Sequence, residues 1–218
     1  MSRVPTSPAA APSKAPAPGR PKDLGKGAAI LEAAKRMFTV HGFDGVSMDQ
    51  IAAEAGVSKL TVYSHYGDKE TLFGAAVKAY CEQRLPDALF ADAPDVALRE
   101  RLLQIARAFF AMISAPEAIA GHRILCTPQM AGSALPQMFW DAGPKRVQTA
   151  FAEMLGRRVA AGELDIADVA RAAAQFFALV KGEPHAQLVF GCCPLREEGF
   201  EPHLAAAVDL FLCAYALR

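Results

Sequence analysis

The chain is 218 residues long, with 23 basic and 23 acidic side chains for a formal net charge of zero, and it is 52% hydrophobic. That length holds one large domain or two small ones with a real core. The balanced charge excludes a uniformly basic domain, Pro128 and Pro136 break the longest uncharged run and so exclude a lipid-facing helix, and the five cysteines lack metal-ligand spacing.

Residues 1–23 hold six prolines among alanine, glycine and serine, and this composition predicts a disordered tail. Residues 1–26 carry five basic side chains against one acidic, so the tail is either a solvated leader or an arm reaching DNA through Arg20, Lys22 and Lys26. The amino terminus has no continuous apolar run of the secretory kind. With the odd cysteine count, this reads as a reduced, cytoplasmic protein.

A first helix is expected over about Lys26 to His41, with Ile30, Ala34, Met37 and Phe38 on one face and Gly42 at its end. Ser47 and Gln50 have the spacing of a capping box, in which each side chain satisfies a free N–H of the first turn. Ile51, Ala52 and Ala55 give the short helix that follows an apolar face, and Gly56 ends it where a left-handed residue is wanted. Ser58 caps a second short helix running from Lys59 to His65. Two short helices with small contact residues and a tight turn between them describe a helix-turn-helix.

Gly67 and Asp68 then open a fourth helix towards Leu85, with Pro86 as its stop. The remaining residues show helical spacing throughout. Helices are expected over Asp95 to Ser114, about Glu117 to Cys126, Pro144 to about Gly162, and Leu164 to Val180. Residues 127–143 read as irregular apart from a short helix over Pro136 to Trp140. Gly182, Glu183 and Pro184 predict a kink or break, and Pro202 opens a last helix. The fold class is therefore all-α.

The segment 30–73, with HGFDGVSMDQIA, AGVSK and TVYSHYGDKETLF, resembles the DNA-binding domain of TetR/AcrR-type regulators. The run from about Arg123 to Gly191, with FWDAGPKRVQTAFAEML and GELDIADVARAAAQFFALVKG, resembles the AefR-like carboxyl-terminal domain of that family. The resemblance implies a three-helix DNA-binding domain over 24–70, followed by a helical ligand-binding and dimerisation domain over 71–218. It implies a transcriptional regulator, not an enzyme, that grips double-stranded operator DNA as a homodimer and is released by a small apolar or aromatic effector. No cofactor, metal or membrane is implied.

Carried onto this sequence, Ser47 and its helix N-terminus would hold a phosphate, with Lys59, Tyr63, His65 and Lys69 also at the backbone, Leu60 and Thr61 facing the bases, and the capping Ser58 among the DNA-binding residues. Helix packing competes for Thr61 and Tyr63, and a solvated imidazole for His65. Phe109, Phe110, Met112, His122, Met138, Phe139 and Trp140 form the aromatic and methionine clusters suited to an apolar ligand, against plain core packing. Phe176, Phe177 and Val180, with Leu204, Val208, Phe211, Leu212 and Tyr215, form stripes whose apolar surface exceeds the needs of one subunit and so suggests a two-fold interface. Two other functions fit the sequence: a redox-sensing regulator triggered through a cysteine, and a small-molecule-binding protein without DNA binding. Against the first, nothing acidic, basic or metal-like is spaced around Cys192 and Cys193 for catalysis.

Overall fold

The structure, a computed structural model, describes residues 23–92, 95–192 and 199–217. The expected tail up to residue 22, and Cys193, lie outside the described residues.

The Asp23 carboxylate accepts from the N–H groups of Gly25 and Lys26, so α1 (Leu24–His41) begins slightly earlier than its apolar spacing indicates. The expected capping box forms at α2 (Met48–Glu54): Ser47 N–H donates to Gln50 Oε1 at 2.8 Å, and Gln50 N–H donates to Ser47 Oγ at 3.2 Å. Gly56 turns the chain at φ +67°, and Ser58 caps α3 (Lys59–Tyr66). Glycine takes that backbone region without the Cβ penalty. The Asp68 side chain accepts from Thr71 N–H at 2.6 Å and starts α4 (Lys69–Arg84).

Ile30, Ala34, Val46, Ile51, Val62 and Leu72 make a small core shared by these four helices. Phe38, Phe43 and Phe73 close one end of it, the first and last meeting edge-on at 5.4 Å. Tyr66 Oη donates to the Gly27 carbonyl at 2.9 Å and ties the end of α3 to α1.

The larger core is built from α5 (Leu98–Ser114), α6 (Pro116–Leu125), α7 (Leu135–Ala142), α8 (Pro144–Ala160), α9 (Val169–Phe190) and α10 (Glu201–Tyr215). Its centre is aromatic. Phe151 packs on Phe176 at 4.6 Å, and Phe176 meets Phe211 edge-on at 5.2 Å. Burial of such rings contributes about 1.5–3 kcal/mol each. α4 belongs to both cores, with Leu72 and Ala76 in the smaller and Cys81 and Leu85 in the larger.

Several expectations need correction. Residues 164–168 are not helical. Leu164 forms an isolated antiparallel bridge with Ala216, and Asp165 N–H donates to the Tyr215 carbonyl at 2.8 Å. The Asp168 side chain then caps α9 by accepting from Arg171 N–H. The break expected near Pro184 is a kink at Gly182 (φ 47°, ψ −159°), after which the helix resumes to Phe190. Pro184 falls in the first turn after the kink, where its missing N–H costs little. A Cβ at Gly182 would stand 2.5 Å from His203 Cε1, so glycine is required there both for backbone and for space. Val180 O, released by the kink, accepts from His203 Nε2 at 3.0 Å.

The supposed surface stripe is also corrected. Phe176, Phe177, Val180, Leu204, Val208 and Phe211 are each no more than 4% exposed within the single chain, while Leu212 and Tyr215 are half-buried. Their apolar spacing describes the core of this chain and not its surface.

Candidate nucleic-acid interface and effector region

α3 has one buried side chain, Val62, which locks the helix to the smaller core. The rest of the helix is thereby presented outward. Leu60 is 79% exposed, and Tyr63 is 42% exposed on the adjoining face. Ser58 Oγ accepts from Thr61 N–H at 3.2 Å and lies 2.8 Å from Thr61 Oγ1, so the cap also fixes the rotamer of the side chain expected to read bases.

Ser47, Tyr63 and Lys69 line a single surface groove of about 500 Å³. The amino terminus of α2 and the start of α4 thus flank α3 on one side. Lys69 Nζ sits over the Phe43 ring, 4.1 Å from its centroid, which positions the ammonium without neutralising it. Lys59 differs: its Nζ lies 2.8 Å from Asp49 Oδ1, and the hydrogen bond to that carboxylate raises the lysine pKa. His65 is half-buried, its Nδ1 3.1 Å from where a Cβ on Gly27 would stand, which places it on the α1 side of α3. Sequence reasoning missed Asp49, a solvent-facing acid of ordinary helix-start character whose pairing across the turn depends on the tertiary fold.

The residues expected to hold an effector divide into two groups. Phe109 packs on Phe177 at 4.4 Å and Phe110 on Phe200 at 4.6 Å, and with Met112 they are buried in the larger core. Phe139 meets His122 edge-on at 5.9 Å, Met138 is half-buried, and Trp140 is 44% exposed. Another groove, of about 630 Å³, lies between the start of the larger domain and α8, and none of these side chains lines it.

Two elements couple the larger domain to the DNA-facing unit. Along α4, Tyr80 Oη donates to the Met112 carbonyl at 3.1 Å, and burial pushes its pKa up to about 12. Arg84 pairs with Glu117 at 2.6 Å, joining α4 to α6. α6 packs on both α1 and α9, and Arg123 donates to the carbonyls of Val189 and Leu188 at the end of α9.

Among the described residues, no group of three or more His, Cys, Asp or Glu could hold a metal ion, and no single helix is long and apolar enough to cross a membrane. Burial pushes the Cys81 thiol up to about 11, which suppresses its thiolate.

Residues 30–76 match the family model described as bacterial regulatory proteins of the tetR family, and residues 100–217 match the AefR-like transcriptional repressor carboxyl-terminal domain. A solved TetR-family regulator from Mesorhizobium loti is 29% identical, covering 88% of this chain and 97% of that one, with a TM-score of 0.70. The solved Flavonoid-responsive Regulator FrrA is 32% identical, covering 88% of this chain and 98% of that one, with a TM-score of 0.68. Among curated relatives, the HTH-type regulator YdeS of Bacillus subtilis is 40% identical over 68 residues, 31% of this chain. That match spans about a third, 34%, of the relative's length.

Proposed function

Because the chain belongs to the TetR family of bacterial transcriptional regulators, we propose that it is a repressor that binds a palindromic operator as a homodimer in the cytoplasm and leaves it when a small aromatic effector binds. The observation carrying the DNA reading is the exposed, doubly capped α3, with Leu60 at 79% exposure and Ser47, Tyr63 and Lys69 around the groove beside it. Regulators of this kind act by binding DNA and not by catalysis. Leu60 has no polar atom beyond its backbone, so it suits a thymine methyl or a sugar, while Thr61 can exchange a hydrogen bond with a base edge.

A homodimer is favoured by the outer faces of α9 and α10, which run antiparallel. Ala174 and Ala178 on one, and Leu210, Cys213 and Leu217 at and beyond the end of the other, are exposed, with Leu210 at 57% and Leu217 at 56%. Small residues beside exposed leucines allow two such pairs to close into a four-helix interface around a two-fold axis.

The effector reading draws on the AefR-like domain match, on the half-buried Phe139 beside His122, and on the description of one solved relative as flavonoid-responsive. The test is selection of bound duplexes from a random library, followed by fluorescence anisotropy on the enriched sequence. An inverted repeat bound by two chains is expected. A bound sequence without two-fold symmetry, or no enrichment, would overturn the reading.

A further inference from the structure

Where α9 kinks, three titratable side chains from two helices come together at the layer of α6. His122, on α6, and His185, just past the kink, stand edge to face with ring centroids 5.2 Å apart. His122 Nδ1 and His185 Nε2 are both shut off from solvent without a hydrogen-bond partner among the described residues, and so is the Ser114 hydroxyl at the end of α5. Such atoms are uncommon in a folded protein, because each loses its hydration without gaining a hydrogen bond in return. Lys181, immediately before the kink glycine, is half-buried and forms no ion pair among the described residues. Its positive charge weighs on both imidazoles.

In the neutral tautomer with the proton on Nδ1, the unpartnered Nε2 of His185 offers a lone pair and needs a donor. A carboxylate at neutral pH has no proton to give it. A phenolic hydroxyl has one, and Lys181 favours the negative charge that builds on the oxygen as the proton is shared. Phe139, edge-on to His122, gives an aromatic ring a neighbour.

Access fits as well. α6 buries one side chain, Ile119, and α7 one, Leu135, each still 7–8% exposed. α6, which packs on α9, can therefore part from it while exposing little core, whereas α7 packs on α4 and α8. α6 also packs on α1, and the Gly42 turn that ends α1 lies close to Ile124. A molecule wedged between α6 and the kink thus presses on the DNA-facing unit.

We propose that the notch formed by His122, His185 and Lys181 at the α9 kink is the anchoring site for a phenolic hydroxyl of an aromatic effector. This rests on the reading that the larger domain binds an effector, and it adds the chemical class and the residues that select it.

The experiment uses the full-length protein with apigenin, a trihydroxyflavone, and with its fully O-methylated ether, which keeps the rings but removes every donor. Binding is followed by isothermal titration calorimetry, and release by anisotropy on the operator. Lys181→Met, His185→Phe and His122→Phe are compared with the native chain, and retained operator binding without a flavone reports that each is folded. The native chain should bind apigenin at least about tenfold more tightly than the ether, the scale of a hydrogen bond to a charged group. Lys181→Met and His185→Phe should each erase most of that preference while changing ether binding little. If the variants keep the native preference, the anchor is elsewhere, although effector release of the operator stands. If neither flavone binds the native chain, the phenolic class is wrong. Tight binding of apigenin at this notch without operator release would instead overturn the effector reading and leave the site in place.

Discussion

Lys59 Nζ and Asp49 Oδ1 lie 2.8 Å apart, so the first residue of α3 is neutralised across the turn by the second residue of α2. Both side chains are well exposed, at 59% and 60%, and a pair of this kind adds little to stability. Its consequence is for DNA. A lysine held by a carboxylate must give up or share that partner to neutralise a phosphate, and the acid itself repels the backbone.

Asp49→Asn should therefore strengthen operator binding by about two- to fivefold, through the sequence-independent part of the interaction. The steepness with which affinity falls with salt should increase, while the preferred base at each position stays the same. Anisotropy at several salt concentrations checks this. An unchanged or weaker affinity would mean that Asp49 positions Lys59 for its contact instead of competing for it.

Base reading and backbone gripping should separate on two residues. Lys69, cradled over Phe43 at 4.1 Å, offers a charge with no ion-pair partner among the described residues at the rim of the groove beside α3. Lys69→Ala should weaken binding to all sequences alike and reduce the salt slope by about one per subunit. Thr61→Ala should cost about 1–3 kcal/mol at one base pair of each half-site and little elsewhere. Ser58→Ala, which removes the hydroxyl 2.8 Å from Thr61 Oγ1 and the cap of α3, should weaken the same discrimination and lower stability by about 1 kcal/mol. Operator affinity across single-base variants distinguishes these outcomes.

The DNA-facing unit was legible in the sequence because its signals are local. A capping box, a glycine with positive φ and two further caps lie within one or two turns of the residues they control. The larger domain was less legible. Periodicity marks Phe176, Phe177, Val180, Val208 and Phe211 as one face of two helices, but it does not say whether that face meets α5 and α8 of the same chain or a second copy. Their near-complete burial reflects a long-range arrangement to which spacing is blind. Pro184 was readable as a break, yet resumption of the helix depends on Gly182 and on His203 receiving the freed carbonyl. His185 and Lys181 gave no signal at all. Their juxtaposition with His122 arises only where α6 crosses the kink.

This burial alters how the assembly can be probed. Phe211 is 1% exposed, so Phe211→Glu should unfold the chain or destabilise it by at least about 3 kcal/mol, and should not yield a folded monomer. Leu210, the residue before it on α10, turns outward and is 57% exposed. Leu210→Glu should leave thermal stability of the single chain near its native value while converting a dimer to a monomer, with operator affinity falling accordingly. Sedimentation velocity and circular dichroism separate the two variants. A native chain that sediments as a monomer at micromolar concentration would remove the interface from this face.

The imidazole pair should leave a mark on stability as a function of pH. Burial is the leading cause that holds the His185 pKa down at about 4, against an ordinary value of 6.5, with the charges of His122 and Lys181 adding to it. Burial likewise lowers His122. The unfolded chain therefore binds more protons than the folded one at pH values between about 4 and 6.5, and stability must rise with pH across that window. As pH falls through 6.5 the unfolded form gains protons that the folded form refuses, and the loss levels off below the folded pKa. The lowered carboxylates, among them Glu117 beside Arg84 and Asp68 at its cap, add their own loss nearer pH 4, so the interval from pH 6.5 to 5 reports chiefly on histidines. Urea unfolding midpoints at pH 7, 6, 5.5 and 5 provide the measurement. The native chain should lose midpoint steadily over that range, and His185→Gln, which cannot titrate, should flatten the slope. Equal slopes in the two proteins would show that His185 titrates alike when folded and unfolded, and that the notch at the α9 kink is wetter than its geometry indicates.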